Sequence, residues 1–342
     1  MTALQINSSK NERSLNILVT GATGFIGRQL VPALLQKGYT VSCLARSTSH
    51  RPDNFSDSVH WVLGDLLDKQ SLVEACGGVD AVVHLGGAIK ASDAKMFFSI
   101  NVDGTRNILE ALVQAGNPYA RFIYFSSQAA LGPAPTPKPL TEESKSHPVS
   151  AYGRSKFQAE QIVQEYNKQL RCVILRPSVV YGPGDRESLA FFKMAKFHIN
   201  PRIGFKPKYI DIIHVEDLVQ IVLSVLKEDI KSGEIFNIND GQNSGYSENA
   251  VVNHAAEALK TWTIPVYIPL LILKILALFN GTLSKISGRS AMFNSDKYRE
   301  IAAQYWLFSS EKARATLGYT PKYNIEKGFS MTALWYKKHK WL

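Results

Sequence analysis

Cysteine is scarce in this chain. Cys43, Cys76 and Cys172 are its three, set in apolar strand-like or helix-end stretches without the spacing of metal ligands. That set excludes a disulfide framework and predicts buried thiols in a reducing compartment. A secretory leader is not evident either. Residues 1–12 are polar, lack a basic start and an apolar core, and are expected to form a loose tail on a cytoplasmic protein. No apolar run reaches membrane-spanning length. The greasiest segment, 262–280, is interrupted by Pro265, Pro269 and Lys274, so its helical part is expected to begin near Pro269. It could cover an apolar ligand as a buried lid, or lie on a membrane surface. The net charge of +10 comes without a basic stripe interleaved with aromatics, which excludes a nucleic-acid partner and leaves membrane attraction or general basicity. The eight histidines are scattered, so no metal site is expected, and His84 and His214 read as structural. No internal repeat is visible.

What is present describes a folded α/β protein. With 342 residues, 45% of them hydrophobic and 20% charged, the chain can bury a large core. Strand-like runs at Asn16–Thr20, Thr40–Ala45, His60–Leu63, Ala81–Leu85, Arg121–Ser126 and Cys172–Arg176 alternate with helical patterns at Gly27–Gln36, Lys69–Ala75, Ile100–Ala115 and Tyr152–Gln169. Such alternation predicts right-handed crossovers and a doubly wound parallel sheet over residues 13–182. Residues 183–342 become irregular, with helices expected at Ser188–Phe197, Val215–Lys227 and Asn249–Lys260. They are expected to form a smaller substrate-binding lobe interleaved with the first domain. The stiff loop Gly132-Pro-Ala-Pro-Thr-Pro-Lys-Pro139 is expected to wall the cleft.

Two motifs carry the chemistry. Ile17-Leu-Val-Thr-Gly21-Ala-Thr-Gly24-Phe-Ile-Gly27 runs an apolar strand into glycines three apart and then into an amphipathic run. Glycines there permit a tight turn and close backbone approach to a pyrophosphate, which the first amides of the helix then face. Further on, Tyr152 and Lys156 stand four apart, on one face of a helix. An ammonium beside a phenol favours phenolate and suits the tyrosine to general acid/base work. Between the motifs, Phe122-Ile-Tyr-Phe-Ser126-Ser127 ends a strand in two hydroxyls, where open α/β sheets meet ligands.

In this order the motifs resemble the extended short-chain dehydrogenase/reductase family of sugar epimerases, dehydratases, 3β-hydroxysteroid dehydrogenases and dihydroflavonol-type reductases. The resemblance spans about Asn16 to Leu226. It implies that Tyr152 exchanges the proton, that Ser127, 25 positions earlier, shares its substrate oxygen, and that Lys156 lowers the tyrosine pKa and grips the nicotinamide ribose. Asn101, in Asn101-Val-Asp-Gly-Thr-Arg-Asn107, would order a proton relay. Ser126 is the lesser candidate for the serine, and Tyr124 and Tyr181 read as packing residues. The cofactor would meet Gly21, Thr23, Gly24, Phe25, Ile26 and Gly27 at the phosphates, Asp65 and Leu66 at the adenine, and Pro177 beyond the sixth strand. Asp65 could instead cap the following helix. Pairing through the Asn101 and Tyr152 helices would make a homodimer.

Cofactor and substrate turn on departures from the family pattern. Ala45 stands where NAD-using members carry an acid for the ribose hydroxyls, and Arg46 follows it, able to hold a 2′-phosphate. This favours NADP, with NAD the alternative. In Arg176-Pro-Ser-Val179-Val-Tyr-Gly-Pro183, Val179 replaces the asparagine that touches the diphosphate in sugar-nucleotide enzymes. A polar site loses about 1–3 kcal/mol per missing partner. The expected substrate is therefore a largely apolar secondary alcohol or ketone. A nucleotide-sugar epimerase is the alternative, and a non-catalytic dinucleotide-binding scaffold the second.

Overall fold

A computed structural model describes residues 14–342 apart from 53–54, 56–57, 92, 118 and 288–293, and the side chains of 281–287 are likewise left out of the description. The expected loose tail, 1–12, lies outside the described residues. Seven parallel strands form the central sheet: β1 (Asn16–Thr20), β2 (Thr40–Ala45), β3 (His60–Leu63), β4 (Ala81–His84), β5 (Arg121–Phe125), β6 (Arg171–Pro177) and β7 (Glu234–Ile238). Their spatial order is β7-β6-β5-β4-β1-β2-β3. The order reverses between β1 and β4, so the connections leaving those two strands diverge and open a crevice at their carboxyl ends. Strands β1, β4 and β5 are Val/Ile/Phe-rich and almost wholly buried, as expected for a sheet covered on both faces.

Helices cover both faces. They are α1 (Phe25–Gln36), α2 (Lys69–Ala75), α3 (Ala94–Phe98), α4 (Gly104–Gln114), a short α5 (Gln128–Leu131), α6 (Ala151–Glu165), α7 (Leu189–Lys196), α8 (Val215–Lys227), α9 (Glu248–Leu259), α10 (Leu270–Ser287), α11 (Ser295–Ala302), α12 (Glu311–Leu317) and α13 (Ile325–Lys338). Leu30, Val31 and Leu34 of α1 join Leu218, Val222 and Leu226 of α8 in one core layer, while Ile108, Leu112, Ile162 and Val163 of α4 and α6 fill the other.

The run expected as one helix from Ile100 is built differently. A π-helical turn, Ser99–Asp103, joins α3 to α4 and swings Asn101 into the interior, where it is buried. Helix α6 stops at Glu165, short of Gln169. Strand β7, from the part of the chain expected to form the second lobe, adds to the edge of the sheet beside β6. The proline-rich loop is pinned by bridges from Ala134 to Tyr305 and from Leu140 to Phe308.

Candidate active site

The residues expected to hold a dinucleotide gather at the carboxyl ends of the strands. Gly21 adopts φ +71°, and a Cβ on it would come 2.8 Å from the Gly86 amide nitrogen, so the turns after β1 and β4 touch through glycine. Gly27 is equally confined: a Cβ there would lie 2.5 Å from the Gly21 carbonyl oxygen. Most helices of this chain begin under a side-chain cap, such as Asp68 on α2, Ser150 on α6 and Ser247 on α9. Helix α1 begins at Gly24 with no such cap and no acid in its first turn, leaving its leading amides open toward an anion. A pyrophosphate fits this cradle. Thr23, Phe25 and Ile26 complete the turn, half-buried, with Arg28 Nε donating to the Thr23 carbonyl at 2.9 Å.

At the other end of the crevice, Ala45 is buried at the end of β2 and Arg46 is exposed just beyond it, making no ion pair among the described residues. The Asp65 carboxylate accepts the Leu67 amide at 2.9 Å, and Asp68 caps α2, so the capping role considered for Asp65 belongs to its neighbour. Leu66 packs under Gly104 and Gly86, and its carbonyl accepts from Asn107 Nδ2 at 2.8 Å. Pro177 is buried at the end of β6.

Ser127, Tyr152, Lys156 and Asn101 converge. Ser127 caps α5, taking the Ala129 amide at 3.1 Å, and its hydroxyl stands on the side of the Tyr152 phenol, whose pKa it lowers. Lys156 Nζ donates to the Phe125 carbonyl at 2.7 Å and lies 5.0 Å from the centre of the Tyr124 ring. Asn101 Oδ1 takes the Ala88 amide at 2.7 Å, while its Nδ2 donates to the Ala88 carbonyl and to Ser155 Oγ. Ser155 Oγ in turn donates to the Tyr152 carbonyl at 2.8 Å. A methyl at Gly87 would sit 2.9 Å from Asn101 Oδ1 and 3.3 Å from Lys156 Nζ, so glycine keeps the approach to both clear.

The electrostatics differ from the simple picture of a lysine lowering its tyrosine. Burial pushes the Tyr152 phenol up to about 12, opposed by the neighbouring Ser127 hydroxyl and reinforced by the negative charge of Glu300. Burial lowers Lys156 to about 8, with Glu160 pulling it back up. The lysine is engaged with the Phe125 carbonyl and the Tyr124 ring rather than with the phenol. In this state Tyr152 is held protonated, the form that donates a proton to a carbonyl oxygen.

Below the cluster lies an ion pair not foreseen from the sequence. Arg176 Nε and Nη2 reach Glu160 at 2.8 and 2.7 Å, both residues being buried, and Ser126 Oγ donates to the same carboxylate. Ser126 is thereby committed to Glu160 and leaves Ser127 to face the tyrosine. The available signal was spacing: Tyr152, Lys156 and Glu160 repeat every four residues, putting a carboxylate on the buried stripe of α6. Helix α11 was missed as well. Its Asp296 takes the Ala151 amide at 2.6 Å, fastening the helix over the start of α6. Tyr181 packs against Phe329 and His214. His84 bridges Thr20 and Thr105, and His214 caps α8. All three cysteines are buried free thiols.

Known proteins resemble the whole chain. It is 29% identical over 326 residues to ceramide reductase of Caulobacter vibrioides, covering 95% of this chain and 96% of that protein. It is 26% identical over 328 residues to the N-acetyl-alpha-D-glucosaminyl-diphospho-ditrans,octacis-undecaprenol 4-epimerase of Escherichia coli O157:H7, covering 93% and 94%. The crystal structure of gox2253 superposes with a TM-score of 0.79 at 26% identity, over 94% of this chain and 98% of that one. Residues 17–239, which include the glycine turn, the serine, the tyrosine–lysine pair and the sheet through β7, match one family description, and the chain belongs to the NAD dependent epimerase/dehydratase family.

Proposed function

We propose that this protein is an NADP-dependent oxidoreductase acting on a largely apolar secondary alcohol or ketone. The observation that carries the substrate class is the apolar flank of Tyr152. The Phe97 ring stands 5.9 Å from the phenol ring, and in the neighbouring segments Ile89 and Met96 are 63% and 45% exposed. Val179, in the short strand that follows β6, offers only its backbone, whose amide is already given to the Asp211 carbonyl at 3.2 Å. Apolar surface of this kind contributes about 25 cal/mol per Å² buried, enough to recognise a sterol-sized or acyl ligand.

The dinucleotide, when bound, exchanges a hydride with the substrate carbon. Gly21, Gly24 and Gly27 hold its phosphates against the first turn of α1, and Arg46 meets the 2′-phosphate. Lys156 grips the nicotinamide ribose. Tyr152 gives its proton to the carbonyl oxygen in the reducing direction, and Ser127 hydrogen-bonds that oxygen. Asn101 anchors the turn at Ala88 and, through Ser155, the first turn of α6.

Resemblance to the ceramide reductase favours long-chain lipid ketones within this class, whereas resemblance to the undecaprenol-linked epimerase favours a sugar carried on a lipid diphosphate. Turnover with NADPH and NADH across long-chain lipid ketones, steroids, flavanones and UDP-, GDP- and dTDP-sugars distinguishes them. Reduction of the apolar set supports the proposal; epimerisation of a nucleotide sugar with silence from the apolar set overturns it. For the cofactor, Arg46→Asp should weaken NADP binding roughly ten- to hundred-fold, the loss of one charge-assisted contact, and improve NAD binding. A wild-type preference for NAD in the same titration would remove the basis for NADP.

A further inference from the structure

The C-terminal lobe exposes an apolar, cationic surface that the chemistry described above does not use. Strand Ile264–Ile268 pairs in parallel with Ile199–Ile203, and α10 follows at once. This segment was expected to be either a buried lid or a membrane contact, and most of it is not buried. Leu271, Ile272, Ile275, Leu276 and Phe279 are all exposed, on a stripe with helical spacing. Beside them Tyr267 is 66% and Phe205 89% exposed. No helix among the described residues is long and apolar enough to cross a membrane.

Charge on this face is predominantly positive. Residues 189–208 contain Lys193, Lys196, Arg202, Lys206 and Lys208 and no Asp or Glu. Residues 260–280 add Lys260 and Lys274, again with no acid. Arg202, Lys206 and Lys208 line a cavity of about 250 Å³ together with Phe205 and Tyr267, with Glu248 as its carboxylate. Arg202 Nε is a buried donor without a hydrogen-bond partner among the described residues. Lys208 Nζ donates to the Ile301 carbonyl of α11, the helix that Asp296 fastens over the catalytic helix.

We infer that this face docks on an anionic phospholipid bilayer, with Phe205, Tyr267 and the α10 stripe entering the acyl boundary and the Arg202–Lys206 cavity receiving a lipid phosphate. Greasy side chains ringed by an excess of cations match such a surface: the first exclude water from the acyl chains, the second answer the negative headgroups. A second copy of the chain would bring the same positive charge to the contact and repel itself. The inference goes beyond the substrate assignment, since docking is measured without turnover.

The test is flotation of the full-length protein with vesicles of phosphatidylcholine alone or with one-third phosphatidylglycerol. Recovery with the anionic vesicles, falling at high salt, is expected. Each cation near the surface should contribute about five-fold, so the Arg202→Gln/Lys206→Gln variant should bind roughly 25-fold more weakly. Phe205→Ser/Leu271→Ser should lose binding while keeping the wild-type melting temperature and turnover of a soluble substrate. Absence of wild-type recovery on anionic vesicles would overturn the inference, as would recovery indifferent to both double variants. A concentration-dependent dimer dispersed by Phe205→Ser/Leu271→Ser, without vesicle binding, would assign the face to self-association instead.

Discussion

The cleft around Tyr152 and the α10 surface use similar residue types to opposite ends. Around Tyr152, polar groups are buried and the charged ones are answered: Lys156 by the Phe125 carbonyl, Glu160 by Arg176 and Ser126, with Asn101 held by both backbone groups of Ala88, while the Tyr124 hydroxyl, Gln128 Oε1 and Arg176 Nη1 have no partner among the described residues. Around α10, apolar groups stand in water and cations outnumber acids. The first arrangement sets geometry and protonation by removing solvent, because an unanswered polar group there would cost the full desolvation penalty. The second contributes little to folding, since its apolar area was never taken from water, and is available for a surface the protein meets elsewhere.

The sharpest test of the cleft side is Tyr152→Phe. It should lower turnover by about 10²–10⁴-fold while leaving dinucleotide affinity nearly unchanged, because the ring still packs against Phe97 and only the proton donor is lost. Activity within about tenfold of wild type would place the acid elsewhere.

Next in size is the buried pair. Glu160→Gln leaves Arg176 charged and uncompensated, and should cost about 3–5 kcal/mol in a urea melt. Adding Arg176→Met should recover part of that loss, since the two residues act as one unit. A single variant as stable as wild type would mean that the pair is not desolvated.

The two kinds of apolar residue can be compared directly. Leu30→Ala empties a fully buried site between α1 and the sheet and should destabilise by about 2–5 kcal/mol. Leu271→Ala, at a position 67% exposed, should fall within about 0.5 kcal/mol. Equal losses would show that α10 packs against something in solution.

The smallest effect is a titration. Burial lowers Lys156 to about 8, so its charge is present below that pH and is lost as pH rises through it, well before the ordinary lysine value of 10.5. Dinucleotide affinity measured calorimetrically should therefore weaken above about pH 8. A flat profile to pH 10 would separate binding from the lysine charge.

Much of the fold was legible because local patterns report on local physics. The strands at 16–20, 40–45 and 60–63 were expected with their observed bounds, and the glycine turn and the Tyr152–Lys156 spacing could be read from the residues that form them. Strand β7 was not found, since Glu234-Ile-Phe-Asn-Ile238 is short and becomes a strand only through its neighbour β6. The π-helical turn before α4 was equally hidden: its consequence, the placement of Asn101 against Ala88, depends on a loop thirteen residues away in the chain.

By itself, then, the sequence determined the alternation of strands and helices, the glycine turn after β1 and the spacing of Tyr152 and Lys156 on one helix, because each depends on neighbours a few positions apart. Only the tertiary structure decided that Ser126 is committed to Glu160 while Ser127 is not, that burial pushes the phenol up rather than down, and that the apolar segment after Trp262 faces outward. Those outcomes depend on which groups distant in sequence exclude water from one another, and burial of that kind exists only once the chain has closed on itself.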